Sequence, residues 1–212
     1  MNTKINWFGL AGGVTVILVI VISMFSPWWQ LTVGDNLVNA QVSPLNTNFN
    51  FLGTAFTIPL IWVFNIVSLL TLVASGIAML VYSVVPTKSH SKQLLYFGYR
   101  KPLYTVVFFV VVLFALTLLL QNIIGLNVPL SGSASSTAQI PFVSGTTVDV
   151  VIAAGFGFSF WLAAVAAGLC LAARLYHKRL VTAAQKPEPV KPVEPVAAPT
   201  EVPAPPPQAV QT

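Results

Sequence analysis

The sequence predicts an all-α membrane protein: a four-helix transmembrane bundle with a small extracytoplasmic β-rich cap and a disordered Pro-rich tail. Three observations carry that reading. The 212 residues are 56% apolar and only 7% charged, against about 25% charged in a soluble domain. The charged residues cluster, leaving long silent stretches between them. Four of those stretches hold the ~20 apolar residues that a helix needs to cross a hydrocarbon core about 30 Å thick. Such a composition excludes a soluble globular enzyme, a disordered protein and a nucleic-acid-binding domain. The net charge of +5 comes from ten basic residues that are not spread over a folded surface, so no nucleic-acid partner is expected.

Residues 1–180 are read as the membrane domain and 181–212 as the tail. The first span, 8–25, runs from Phe8 to Phe25 and stops at Ser26-Pro27. It is read as retained, because its apolar run is long for a signal peptide and no A-x-A-like cleavage site follows. The second span, 59–85, opens on Pro59, which suits a first helical turn, and Pro86 stops it. The third, 103–124, is opened by Pro102 and closed by Gly125. The fourth, 150–173, takes Thr146 or Thr147 as its cap, with Asp149 at its positive end.

Lysine and arginine set the orientation. Lys88, Lys92, Arg100 and Lys101 lie between spans two and three, and five more basic residues follow from Arg174 onward. The segments 26–57 and 125–148 have none. The expectation is a multi-pass protein of the cell membrane with both termini cytoplasmic and those two segments outside.

The first outer segment reads as a hairpin. Trp28–Val33 and Leu37–Val42 are β-prone runs around Gly34-Asp35-Asn36, residue types that tolerate positive φ. Residues 46–52 alternate polar and aromatic side chains and suggest a third strand. In the second outer segment, 131–136 reads as a flexible run and 140–143 as a short edge strand. An open sheet edge cannot sit in lipid, so the cap is placed in water above the bundle. Trp28 and Trp29 are read first as anchors in an aromatic belt. The alternative is a tryptophan that packs beneath the cap and fixes its tilt.

The stretch Pro27-Trp28-Trp29-Gln30-Leu31, then Gly34-Asp35-Asn36-Leu37-Val38-Asn39-Ala40-Gln41, resembles the opening of the first outer segment in claudins. The resemblance implies four membrane helices, cytoplasmic termini and a β-sheet built by that segment. The claudins' paired cysteines are absent, since the sole cysteine is Cys170.

Lipid tails are as apolar as leucine, so membrane helices associate through small residues and a few polar contacts. Gly155, Ser159, Ala163 and Ala167 make such a row on the fourth span, with Ala164, Gly168 and Ala172 beside it. Gly9 and Gly13 serve the first span and Gly76 the second. The third, almost all Val, Leu and Phe from Val106 to Leu120, is expected to show more surface to lipid or a partner. Polar residues at membrane depth are Asn65, Ser68, Thr71 and Ser75, with Thr117, Gln121 and Asn122. Interhelical hydrogen bonding is the first reading of these, at roughly 0.6 kcal/mol each, and a polar substrate path the second. The path is weakened by spans that lack Asp, Glu, Lys, Arg and His.

No catalytic, cofactor-binding or metal site is expected. Both histidines, His90 and His177, lie at the flanks of spans, so nothing inside would hold haem, and Cys170 reads as an inert small hydrophobe. The tail holds a dense run of prolines between 187 and 207, which favours extended polyproline II. It reads as a spacer, with a docking strip for a cytoplasmic partner as the alternative. The functional expectation is a non-catalytic protein that lies in the lipid bilayer and assembles laterally, as a homo-oligomer or with other membrane subunits. The alternatives are an auxiliary subunit of a redox membrane complex and a small transporter or channel.

Overall fold

A computed structural model describes residues 5–34, 37–124, 127–139 and 147–185. The Pro-rich segment beyond 185 and the proposed edge strand at 140–143 lie outside the described residues. In chain order the elements are α1 (Trp7–Ser23), β1 (Trp29–Val33), β2 (Val38–Val42), β3 (Asn48–Phe51), β4 (Thr54–Phe56), α2 (Pro59–Val84), α3 (Ser91–Ile124), β5 (Gly132–Gln139), β6 (Thr147–Phe156) and α4 (Phe158–Gln185).

The helices close a ring in which α1 packs on α2 and α4, and α3 packs on α2 and α4. Pro59–Val84, Ser91–Asn122 and Phe158–Arg179 are long and apolar enough to cross a membrane. Helix α1 is a shorter apolar helix of 17 residues. Of the three long segments, that of α3 is the least buried inside the bundle. Tyr104, Phe108, Val111 and Phe114 point outward from it.

Both outer segments join one antiparallel sheet in the order β4-β3-β2-β1-β6-β5. Its strands rise from the helix ends. Ser26-Pro27-Trp28 carries α1 into β1, β4 leads into α2, and Gly157 alone separates β6 from α4. The opposite strand ends form hairpin tips. The β3–β4 tip is a two-residue turn in which Leu52 and Gly53 both take positive φ (51° and 82°), the arrangement that matches the twist of paired strands. One sheet face carries Leu31, Ala40 and Ile152 into the core. The other carries Gln30, Asn39, Gln41, Asn48 and Asn50 on neighbouring rungs.

Three expected boundaries are corrected. Helix α4 starts at Phe158, not 150, and Thr147 and Asp149 are strand residues rather than a cap and a first-turn acid. A short apolar run is ambiguous between a helix and a strand buried between neighbours. Here β1 and β5 pair with both edges of Thr147–Phe156, and that satisfies its backbone. Helix α3 starts at Ser91 and runs through Pro102. Leu95 and Tyr99 are buried, and Gly98 lies against Met79 of α2, so packing holds the turns before the proline. The run 131–136 lies largely within strand β5 and is not a loop.

Candidate functional site

The feature that sets this molecule apart from a plain bundle is the joint between sheet and helices. It is centred on the two tryptophans. Each is 1% exposed, so the belt reading is overturned and both rings are packed inside the molecule. Trp28 stacks edge-on against Phe109 of α3 (5.2 Å) and Phe160 of α4 (6.1 Å). Its Nε1–H donates to Ser23 Oγ at 2.7 Å. The Trp29 Nε1–H donates to Leu130 O at 2.8 Å. An indole buried this deeply needs a partner for its N–H, and each has one. The exposed aromatic side chains instead include Phe25, Trp62, Phe158 and Trp161 near the sheet, and Trp7 and Tyr104 farther from it.

Ser159, on the first turn of α4, donates its hydroxyl to Pro27 O at 2.7 Å and Ser26 O at 3.1 Å. The Gly157 N–H donates to Trp28 O at 2.9 Å. A Cβ at Gly157 would collide with the carbonyl oxygen of Pro27, so only glycine permits this crossing. The turn after β2 is held by Ser43, whose Oγ accepts from the Leu45 and Asn46 N–H groups. Asn65 of α2 grips the same turn, with its amide turned to donate to Pro44 O (3.3 Å) and accept from Thr47 N–H (3.2 Å). It thereby lines a cleft of about 200 Å³ between that turn and the start of α2. Neither Ser68 nor Gln121 lines that cleft. Ser68 is half-buried on α2, and Gln121 is exposed on α3.

At the sheet-distal end, a polar chain crosses three helices. Asn6 caps α1 by accepting from Gly9 N–H (3.1 Å). Its Nδ2 donates to Tyr82 Oη (2.8 Å) and to Ala173 O (3.1 Å). The Tyr82 hydroxyl meets His177 Nδ1 at 3.0 Å. Because Asn6 donates to the Tyr82 oxygen, the phenolic proton is free to go to Nδ1. That leaves the ring proton on Nε2, which has no hydrogen-bond partner among the described residues.

Of the small residues picked from the sequence, several sit at close helix contacts. A Cβ on Gly9 would lie 3.3 Å from Tyr82 and Ser83. On Gly13 it would lie 2.8 Å from Leu80, and on Gly76 3.0 Å from Ile17. Ser159, Ala163 and Ala167 are buried. Gly155 is corrected: it belongs to β6, with open space beside it. Gly168 is likewise open, while Ala164 and Ala172 of the same second row are half-buried. Gly12, against Cys170, and Gly98 are close contacts the sequence reading passed over. Both stand in apolar helices, where small residues are the available signal.

In the cap, Gly34 takes φ +60° and donates to Val151 O at 2.8 Å. Asp35 and Asn36 lie outside the described residues. The sheet margin at β3–β4 is apolar and open: Phe51, Leu52 and Phe56 are exposed, Leu52 by 63%. They border a shallow groove with Val38, Phe49 and Thr54. Among the described residues no three His, Cys, Asp or Glu side chains converge to hold a metal ion. No protein-family model matches the chain, and no curated protein matches it either.

Proposed function

We propose that this chain is a four-span membrane protein of the cell membrane that works by lateral assembly rather than by chemistry of its own. Its partners are copies of itself or other membrane subunits. The reading places both termini and the short α2–α3 connection on the cytoplasmic side, where the lysines and arginines cluster. The sheet then lies outside. At 17 residues, α1 is near the lower limit for a membrane-crossing helix, and it packs between two longer ones.

One observation carries the reading. The buried polar side chains fasten elements of this chain to each other: Asn6 and Tyr82 across helices, Trp28, Trp29 and Ser159 between bundle and sheet. What the molecule offers outward is apolar helix surface and a sheet whose β3–β4 margin is apolar and uncharged; Asp149 of β6 lies away from that margin. Exposed apolar surface outside the membrane marks interaction sites. The test is co-expression of two differently tagged full-length copies, cross-linking in native membranes, and retrieval through one tag. Recovery of the second tag, or of a defined membrane neighbour, is the expected result. A chain captured with no neighbour at all defeats the proposal.

A further inference from the structure

We propose that copies of this chain join outside the bilayer by pairing β4 of one copy with β5 of the next, so that a single antiparallel sheet crosses the interface. The inference rests on the lateral-assembly reading and names its surface and its partner, a second copy.

Both margins of the sheet are open. Among the described residues, neither Thr54–Phe56 nor Gly132–Gln139 has a backbone hydrogen bond beyond its one ladder neighbour. All of β4 is exposed, as are Ser133 and Ser135 of β5. Natural sheets blunt such edges with lysine, proline or bulges. Here both edge strands lack charge and proline, and β5 runs for eight residues.

The strand directions then select the pairing. Six strands in all-antiparallel order make β4 and β5 run opposite ways. The strands rise from the helix ends, so their direction is fixed relative to the bundle. Copies in one bilayer share the same up and down. Any shift in the plane, or rotation about the membrane normal, preserves that sense. Hence β4 meets β5 of a neighbour antiparallel, whereas β4 with β4, or β5 with β5, could meet only parallel. Each copy carries both halves of the joint.

Side chains agree with this pairing. Phe51 and Thr54 flank the two-residue turn and are its hydrogen-bonded pair. Ala55 therefore turns its backbone N–H and C=O outward. On the face that carries Phe51 and Phe56, β5 offers only Gly132 and Ala134 near its start, which leaves room for the two rings. Neither edge has a charge to repel the other.

The test uses the full chain in membranes with Ala55→Cys, Ser133→Cys and Ser135→Cys. Cys170 is buried in the bundle. Under mild oxidation, Ala55→Cys combined with Ser133→Cys or Ser135→Cys is expected to give covalent dimers or larger species. A mixture of Ala55→Cys copies with Ser135→Cys copies is expected to give dimers only. Each single variant alone is expected to stay monomeric. Dimers from a single variant alone, or no link in any combination, overturn the inference. Should tagged copies still associate without such links, the pairing falls while lateral assembly stands. As a second measurement, Ser135→Lys is expected to weaken association of tagged copies about tenfold by charging the edge while leaving helical content unchanged. Undiminished association overturns the pairing.

Discussion

At the sheet-distal end of the bundle, Asn6, Tyr82 and His177 join α1, α2 and α4 through a chain of side-chain hydrogen bonds. At the sheet end, Trp28 joins α1, α3 and α4 mainly through ring packing, with one hydrogen bond to Ser23. The two fastenings span the same bundle by different physics. A polar chain in a low-dielectric setting depends on every member, because a lost partner leaves a neighbour unsatisfied. An aromatic contact loses energy in proportion to the surface removed. The polar end should therefore fail cooperatively, and the aromatic end by degrees.

The largest expected effect is at the aromatic end. Trp28→Ala removes a fully buried ring, which costs about 3–5 kcal/mol in a packed core. Trp28→Phe keeps much of the contact and loses the hydrogen bond to Ser23, so it should cost clearly less. Reversible unfolding in bicelles, followed by helical circular dichroism, measures both. Equal losses for the two variants would show that the hydrogen bond, and not the ring, carries this joint, and the contrast between the ends would disappear.

The next effect belongs to the polar end. Tyr82→Phe leaves His177 Nδ1 without its donor and removes one acceptor from Asn6, an expected loss of about 1–3 kcal/mol. Asn6→Ala uncouples the same chain from the other side. The double variant should fall short of the sum of the singles by about 0.5–3 kcal/mol, as for residues in one network. Additive losses in the same unfolding assay would mean the three side chains act separately.

Legibility in the sequence followed the same divide. The β1–β2 hairpin was readable from Gly34, whose positive φ the turn requires. The small residues Gly9, Gly13 and Gly76 were readable because little else draws membrane helices together. The segment Val150–Phe156 was not, since its unbroken apolar run does not reveal that strands flank it on both sides. Pro102 looked like a helix start because its ring forbids one backbone bond, and only the packing of Gly98 and Tyr99 shows the helix continuing before it. Asn6 stands just before an apolar run, a cap signal that could have been used. Its partners Tyr82 and Ala173 are distant in the chain, and single-sequence periodicity carries no information on such meetings. Strand β4 was missed because Leu52 is not a turn former, and its positive φ arises only once the hairpin exists.

The smallest expected effect separates the sheet's attachment from both fastenings. Asn65 holds the turn after β2 through Pro44 O and Thr47 N–H. Both partners can reach water at this margin of the cap, since Pro44 and Thr47 are only half-buried. Asn65→Leu should therefore lower overall stability by only about 0.6 kcal/mol. Its mark should be local. Amide hydrogen exchange at Thr47 should quicken, while the indole N–H of Trp28 stays protected, because the ring's contacts lie on α1, α3 and α4 and not on this turn. Faster exchange at Trp28 in the same variant would mean that the β2–β3 turn and the aromatic joint open together. The sheet would then be one cooperative unit with the bundle, not a cap attached to it at separate points.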